Sequence, residues 1–568
     1  MSYALREKTV TASYPSIILT LFAACASATL LALFYARFGD VDPVIKPFLQ
    51  RAADGTLYSL DFGISNSIIP RSSPIFSMLS SLGLDLSQPV ITMGAHLICC
   101  LLAGIAVWKI VTRVFGIADP VLRPLMMIAM AFADRKFFPF HKGDWISCYD
   151  FSFSATAVAI RFWFVYFALT GRYSAMCLTL IPINILTFKV GWLPTLVAGA
   201  MMVGARVSSR AAWASLALAM APVVYIQIFQ PVSIAPEDVR TVFDEINARF
   251  ALEDNPFRAP FMGAALFLLG CGALWFGALK APVPSAKLFM RCTVLISLAA
   301  FFGGGFYLTL AHKLIAIPAL VWLSPMRALE LASFLIYLCL AAKILTAESL
   351  SDLEKALLFF AIVLYRTTGE GLTHISIIVF ALIAAAALLY AARRFSPKLA
   401  RILAMPTVKL SLLAVLLLPP LTVQGIRTAG GLNRLTLHPT LGFVERDAPI
   451  GILAAIRQRP DDARLIFLRH DGREFVTEQN WNFAARKSSL DGNTYYLVRA
   501  SDIEQQHQLD DFVTKITDAL DGGQPIGVEL REQARALRAH VVLPAGHEEQ
   551  FPGWMRKTET GGWVELAP

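Results

Sequence analysis

Two carboxylates stand one residue apart in Gly39-Asp40-Val41-Asp42-Pro43, directly after an apolar run at 16–38. Carboxylates at the mouth of a membrane helix can bind a divalent cation, take a proton from an acceptor, or hold a substrate hydroxyl. Solvated loop acids beside a helix opened by Pro43 would show the same pattern. A third acid, Asp150 in Tyr149-Asp150-Phe151, sits at the entry of a later apolar run. It can serve as a ligand or as the N-cap of that run, with Ser152 competing for the cap.

The candidate cations are of two kinds. Arg161 lies about halfway along the apolar run 151–170, where a guanidinium is costly and needs a partner or a wet cavity. That partner is either a lipid phosphate or a structural ion pair, and the sequence does not name it. Lys189, His312, Lys313, Arg327 and Arg366 stand at the ends of apolar runs. Cationic groups gathered there can hold an interfacial anion such as a lipid phosphate or pyrophosphate, or can snorkel toward headgroups. Glu370 and His374 lie close to Arg366 and are weaker polar candidates.

The elements that must position these residues are membrane helices. Of 568 residues, 56% are hydrophobic and 16% charged, whereas a soluble domain carries about 25% charge. Apolar stretches occur at 16–38, 90–115, 121–138, 151–170, 174–190, 193–207, 211–229, 261–279, 288–311, 328–345, 356–365, 375–392 and 410–423. By the length a bilayer requires, that is roughly thirteen spans. With the N-terminus inside, Arg6 and Lys8, Lys109 to Arg123, Arg172, Arg206 to Arg210, Lys280 to Arg291, Lys343 to Lys355 and Arg393 to Lys409 all fall on alternate, cytoplasmic loops. The formal charge of +9 belongs to those loops and not to a nucleic-acid surface. Lys189, His312, Arg327 and Arg366 then fall on the outer side, together with the acids.

Two outer loops are long. The first, 39–89, carries a short amphipathic helix near 74–84. Another, 230–260, carries a helix near 236–251 with an apolar stripe of Val239, Phe243, Ile246 and Phe250. Residues 1–424 form the membrane domain, and 425–568 a soluble α/β domain outside the membrane. In the latter, helices at 449–459, 503–520 and 528–538 alternate with strands at 464–468 and 540–543. A terminal hairpin turns at Gly561-Gly562.

The eight cysteines are mostly in apolar stretches with no CxxC spacing, so they read as buried thiols. No P-loop, G-x-S-x-G, H-E-x-x-H or dinucleotide fingerprint is present. Gly303-Gly304-Gly305, inside an apolar run, serves close helix packing or a kink and not a phosphate.

The outline resembles the GT-C superfamily of membrane glycosyltransferases, which includes oligosaccharyltransferase catalytic subunits, protein O-mannosyltransferases and lipid A aminoarabinose transferases. Three stretches carry the resemblance. The first is the acidic opening 38–43 with Tyr58-Ser59-Leu60-Asp61-Phe62. The second is Asp150 followed by Ala155-Thr156-Ala157, Gly171-Arg172-Tyr173 and Phe188-Lys189-Val190-Gly191. The third is the late loop from Ile317-Pro318 to Pro325-Met326-Arg327, followed by more spans and the outer domain. The resemblance implies a catalytic acid at Asp40 or Asp42 and a second acid at Asp150. It implies donor-phosphate contacts at Arg327 and Arg366, with Lys189, Arg161 and His312 as further candidates. The first acids read Asp-Val-Asp where Asp-Glu is common in the family.

The implied function is transfer of a sugar from a polyprenyl-phosphate donor to a lipid, glycan or protein acceptor outside an inner membrane. Partners would be that donor, membrane lipid and other cell-envelope proteins, with no nucleic acid. No cofactor is required by the pattern, and a divalent metal would fit the acids without a ligand set that can be named. The competing expectations are a flippase for a lipid-linked precursor, which Arg161 favours, and a non-catalytic envelope assembly protein.

Overall fold

The computed structural model describes residues 46–67, 74–82, 89–117, 153–229, 234–258, 261–277, 284–322, 327–367, 372–396, 398, 401–402, 405, 435–438, 441–460, 462–471, 474–489 and 497–568. The apolar runs at 16–38, 121–138 and 410–423, and Asp40, Asp42 and Asp150, lie outside them.

Within the expected first outer loop stand α1 (Lys46–Ala53), α2 (Phe62–Ser65) and α3 (Pro74–Leu82). The helical body follows: α4 (Pro89–Lys109), continued by a π-helical turn Ile110–Val114, then α5 (Phe153–Thr170), α6 (Tyr173–Leu186), α7 (Phe188–Gly204) and α8 (Arg210–Phe229). The outer-loop helix α9 (Val239–Asp254) precedes α10 (Phe261–Trp275), α11 (Pro284–Thr309), α12 (Pro318–Trp322), α13 (Arg327–Thr346), α14 (Asp352–Thr367) and α15 (Leu372–Phe395). The helix expected near 236–251 begins at Val239, and Asp238 stands at its N-cap without a side-chain cap bond.

Breaks between helices follow local chemistry. Gly171 reverses the chain between α5 and α6 at φ +70°, a left-handed conformation that glycine adopts without strain. A single extended residue, Thr187, separates α6 from α7. Between α6 and α7, Gly191 leaves room for Asn184: an added Cβ would run into the Asn184 amide, with its Cγ at 2.9 Å. Gly305 sits under the ring of Phe257, whose Cγ would be 2.9 Å from an added Cβ, so the glycine run does serve close packing at this position.

These helices are apolar on both sides. Phe164, Phe289, Phe334 and Tyr337 are buried in one core, while Leu269, Leu295, Phe302, Phe306, Phe380 and Leu388 are exposed. A helix apolar all round is stable only where its surroundings are apolar too. Among the described residues, Ser285–Thr309 and Leu329–Thr346 are long and apolar enough to cross a membrane. Five shorter apolar helices accompany them: Ala159–Thr170, Tyr173–Leu186, Val190–Gly204, Arg210–Tyr225 and Gly263–Trp275. Among the described residues two helices meet that length, against the roughly thirteen spans expected, three of which (16–38, 121–138 and 410–423) lie outside the described residues.

The C-terminal part is an α/β domain, as its patterning predicts. A hairpin, β1 (Leu435–His438) with β2 (Gly442–Glu445), precedes a five-stranded sheet. That sheet contains β3 (Arg464–His470), β4 (Phe475–Thr477), β5 (Ala539–Pro544), β6 (Met555–Thr560) and β7 (Trp563–Ala567), in the order β4-β3-β5-β7-β6. Among the described strands of this sheet, β3 and β5 pair in parallel and the other neighbours antiparallel. Period-2 alternation gives the sheet two apolar faces. Leu465, Phe467 and Val542 pack with α16 (Ile450–Arg457) and α17 (Gln479–Ala485). Ile466, Val541 and Leu543 pack with α18 (Ala500–Asp521) and α19 (Val528–Leu537).

Candidate functional site

Helix ends sort into two groups by what they touch. At one end, Ser285 at the start of α11 donates to the Leu169 carbonyl near the end of α5 (2.6 Å). Arg291 on α11 stacks over Trp275 at the end of α10 (5.5 Å). Arg393, near the end of α15, grips buried Glu354 at the start of α14 through Nε–Oε1 at 3.1 Å and Nη2–Oε2 at 3.2 Å. Arg291, Arg393 and Lys109 all belong to basic clusters expected on the cytoplasmic side.

The other end carries the α/β domain and both loops expected on the outer side. Leu186, at the end of α6, packs beside Phe48, Tyr58, Phe76 and Phe483. Asn255, just after α9, donates to Thr309 at the end of α11 (3.1 Å). Val321 of α12 shares a core with Phe243 of α9 and Leu497 of the α/β domain. The backbone starts of α7 and α13, where Lys189 and Arg327 stand, therefore belong to this end, and so does the far end of α14, where Arg366 stands.

The first outer loop is docked firmly on the α/β domain. Arg464 Nε donates to the Leu60 carbonyl (2.9 Å), and the Leu60 amide donates to Ser488 Oγ (3.2 Å). Asp61, 4% exposed, starts α2 by accepting from the Ile64 amide (3.1 Å), while its other oxygen accepts from the Ser489 amide (3.4 Å). Asn66 donates to Asp502 at the head of α18 (2.9 Å). Tyr58 sits at φ +58°, a strained conformation for an aromatic residue. Its hydroxyl donates to Gln50, and its ring meets Phe483 edge-on at 6.3 Å. The second outer loop is tied to the same domain by Glu245 of α9 and His507 of α18 (3.1 Å).

Of the candidate residues, Arg161, His312 and Lys313 have described side chains, and Lys313 is exposed in the turn Ala311–Lys313 that follows α11. Arg161 is 3% exposed and forms an ion pair with Glu330, one turn into α13 (Nη1–Oε2 3.1 Å). Arg161 stands eight residues into α5, about 12 Å along its axis at 1.5 Å per residue. Glu330 lay in the expected span 328–345 and was not singled out; an acid at the start of an apolar run was the only signal for it. His312 follows α11 and stacks on Phe243 of α9 (5.5 Å, 18°), its Nδ1 3.3 Å from the Tyr307 carbonyl. Its own carbonyl accepts from Arg240 Nη1 (3.1 Å). His312 thus fastens α9 to the end of α11. Lys189, Arg327 and Arg366 are described in their backbone only.

Among the described residues, no group of three metal-binding side chains is assembled. The expected carboxylates, Asp40, Asp42 and Asp150, lie outside the described residues.

No protein-family model matches the chain, and no curated protein matches it either. Among solved structures, the crystal structure of ArnT from Cupriavidus metallidurans bound to undecaprenyl phosphate aligns over 98% of this chain and 98% of its own. The alignment has 14% sequence identity and a TM-score of 0.44. A likeness at that level assigns neither fold nor activity to this chain.

Proposed function

We propose that this protein is a membrane glycosyltransferase that moves a sugar from a polyprenyl-phosphate donor to an acceptor outside the membrane. In an inverting transfer, Asp40 or Asp42 takes the proton of the acceptor hydroxyl as its oxygen bonds to the anomeric carbon. The bond from that carbon to the phosphate oxygen breaks in the same step, and polyprenyl phosphate leaves. Arg327, with Arg366 and Lys189, neutralises the charge that develops on the departing phosphate. Asp150 orients the acceptor or the donor sugar.

One observation carries this reading. The loop that opens with Asp40 and Asp42 continues into α1 and α2, which are pinned to the α/β domain and pack beside Leu186, where α6 ends and α7 begins. A flippase reading leaned on Arg161, and the Glu330 carboxylate beside it removes the need for a lipid anion there.

Native mass spectrometry of the protein in mild detergent tests the proposal. A retained polyprenyl-phosphate sugar, transferred by the wild type and left untransferred by Asp40→Asn or Asp42→Asn, is the expected result. Only ordinary phospholipids across repeated preparations, or turnover untouched by all three acid substitutions including Asp150→Asn, would overturn it.

A further inference from the structure

The α/β domain holds a feature unrelated to the proposed transfer chemistry. His470 is the last residue of β3, and His547 follows β5 by three residues. These two strands are the parallel pair of the sheet, and the carboxyl ends of parallel strands are where α/β sheets bind ligands. Gly546, at φ +101°, turns the chain back after β5 and brings His547 over the end of β3. The two imidazole centroids lie 5.8 Å apart, tilted by 36°. Phe475 props both rings, at 5.0 Å from His470 and 5.1 Å from His547.

Neither imidazole makes a hydrogen bond or ion pair within the described residues, and His470 is exposed. With metal–nitrogen bonds of about 2.0–2.1 Å, two imidazoles on one ion hold their ring centres roughly 5–6 Å apart. We propose that His470 and His547 together bind one borderline divalent cation of the Zn2+ or Cu2+ class, with solvent completing the coordination shell. Imidazole nitrogen selects such ions over Mg2+ and Ca2+, which prefer oxygen. Glu548 adds a negative field beside His547. Its carboxylate accepts from the Gly546 amide (2.6 Å) and from Arg556 Nη2 (2.9 Å). Since that carboxylate is already engaged by Gly546 and Arg556, it acts through its field and not as a ligand.

The test uses the full chain in detergent, tag removed and stripped with chelator, titrated with Zn2+ by calorimetry and with Cu2+ by electron paramagnetic resonance. One Zn2+ per chain and a Cu2+ signal split by two nitrogens are expected. His470→Ala or His547→Ala should each abolish saturable uptake and leave the thermal midpoint of the metal-free protein unchanged. Absence of saturable uptake by the wild type would overturn the proposal, and so would uptake that survives both substitutions, which would locate the ion elsewhere. A variant that loses its midpoint is replaced by His470→Gln or His547→Gln, which keep the side chain's polarity and length while removing the imidazole.

Discussion

Arg161 on α5 and Glu330 on α13 form a buried ion pair across the helical core, with Nη1 3.1 Å from Oε2. Both helices have candidate residues at their starts: Asp150 precedes α5 and Arg327 opens α13. The pair therefore fixes the register of two elements that the proposed chemistry requires to meet.

Removing one partner of a buried pair leaves an uncompensated charge, which costs about 3–5 kcal/mol. Arg161→Ala and Glu330→Ala should each lower the thermal midpoint in detergent markedly. The double substitution should cost less than the sum, with a coupling of about 1–3 kcal/mol. Additive losses in a double-mutant cycle would show that the two side chains do not depend on each other.

The contact of the first outer loop with the α/β domain depends on Arg464. Its side chain is charged and nearly buried, and it donates to the carbonyls of Leu60 (2.9 Å) and Leu537 (2.7 Å). A hydrogen bond from a charged group is worth about 1.5–3 kcal/mol. Arg464→Ala should speed amide hydrogen exchange in residues 46–67 about 10- to 100-fold. His507→Ala, which removes the exposed partner of Glu245, should cost less than about 1 kcal/mol.

Glu565 on β7 gives the α/β domain an acid limit. Burial pushes its carboxyl up, but a hydrogen bond with His540 (2.8 Å) and the charge of Arg459 outweigh burial and hold it below the ordinary value. With its folded pKa below the unfolded one of about 4.3, its contribution to stability is present above the unfolded value. The contribution is lost as pH falls through the folded pKa. Limited proteolysis within 435–568, followed from pH 6 to pH 3, should show protection that drains with acid in the wild type. Glu565→Gln should be less protected at neutral pH and show a flatter profile.

Gly191 is required by its neighbour. Asn184 is fully buried and donates to the Ala219 carbonyl (2.8 Å), which leaves it no room to move aside. Gly191→Ala should destabilise the protein by about 1–3 kcal/mol through overpacking, read as a lower midpoint in detergent. Gly303→Ala, with open space around its Cα, should be close to neutral.

Much of the local structure was legible because each signal is local. Apolar runs ended by Gly171, Arg206 or Arg393 became helices within a few residues of the expected bounds, and the Gly561-Gly562 turn joined β6 to β7 as expected. Helix α17, the hairpin β1–β2 and the short strand β4 were not legible. They are brief, and they are stabilised by packing against β3 or by each other and not by periodicity of their own. The partner of Arg161 is 169 residues away, and no spacing rule reaches that far. The sequence sets Asp61 in the stretch Tyr58-Ser59-Leu60-Asp61-Phe62 without a sign of its burial. Only the tertiary structure makes it a buried hinge between α2 and Ser489, because burial and backbone satisfaction depend on which surfaces meet. The sequence by itself determined the apolar helices, the α/β character of residues 435–568 and the chemical types available. Tertiary structure decided which charges neutralise each other and which loop rests on which domain, since ion pairing and docking are set by proximity in space.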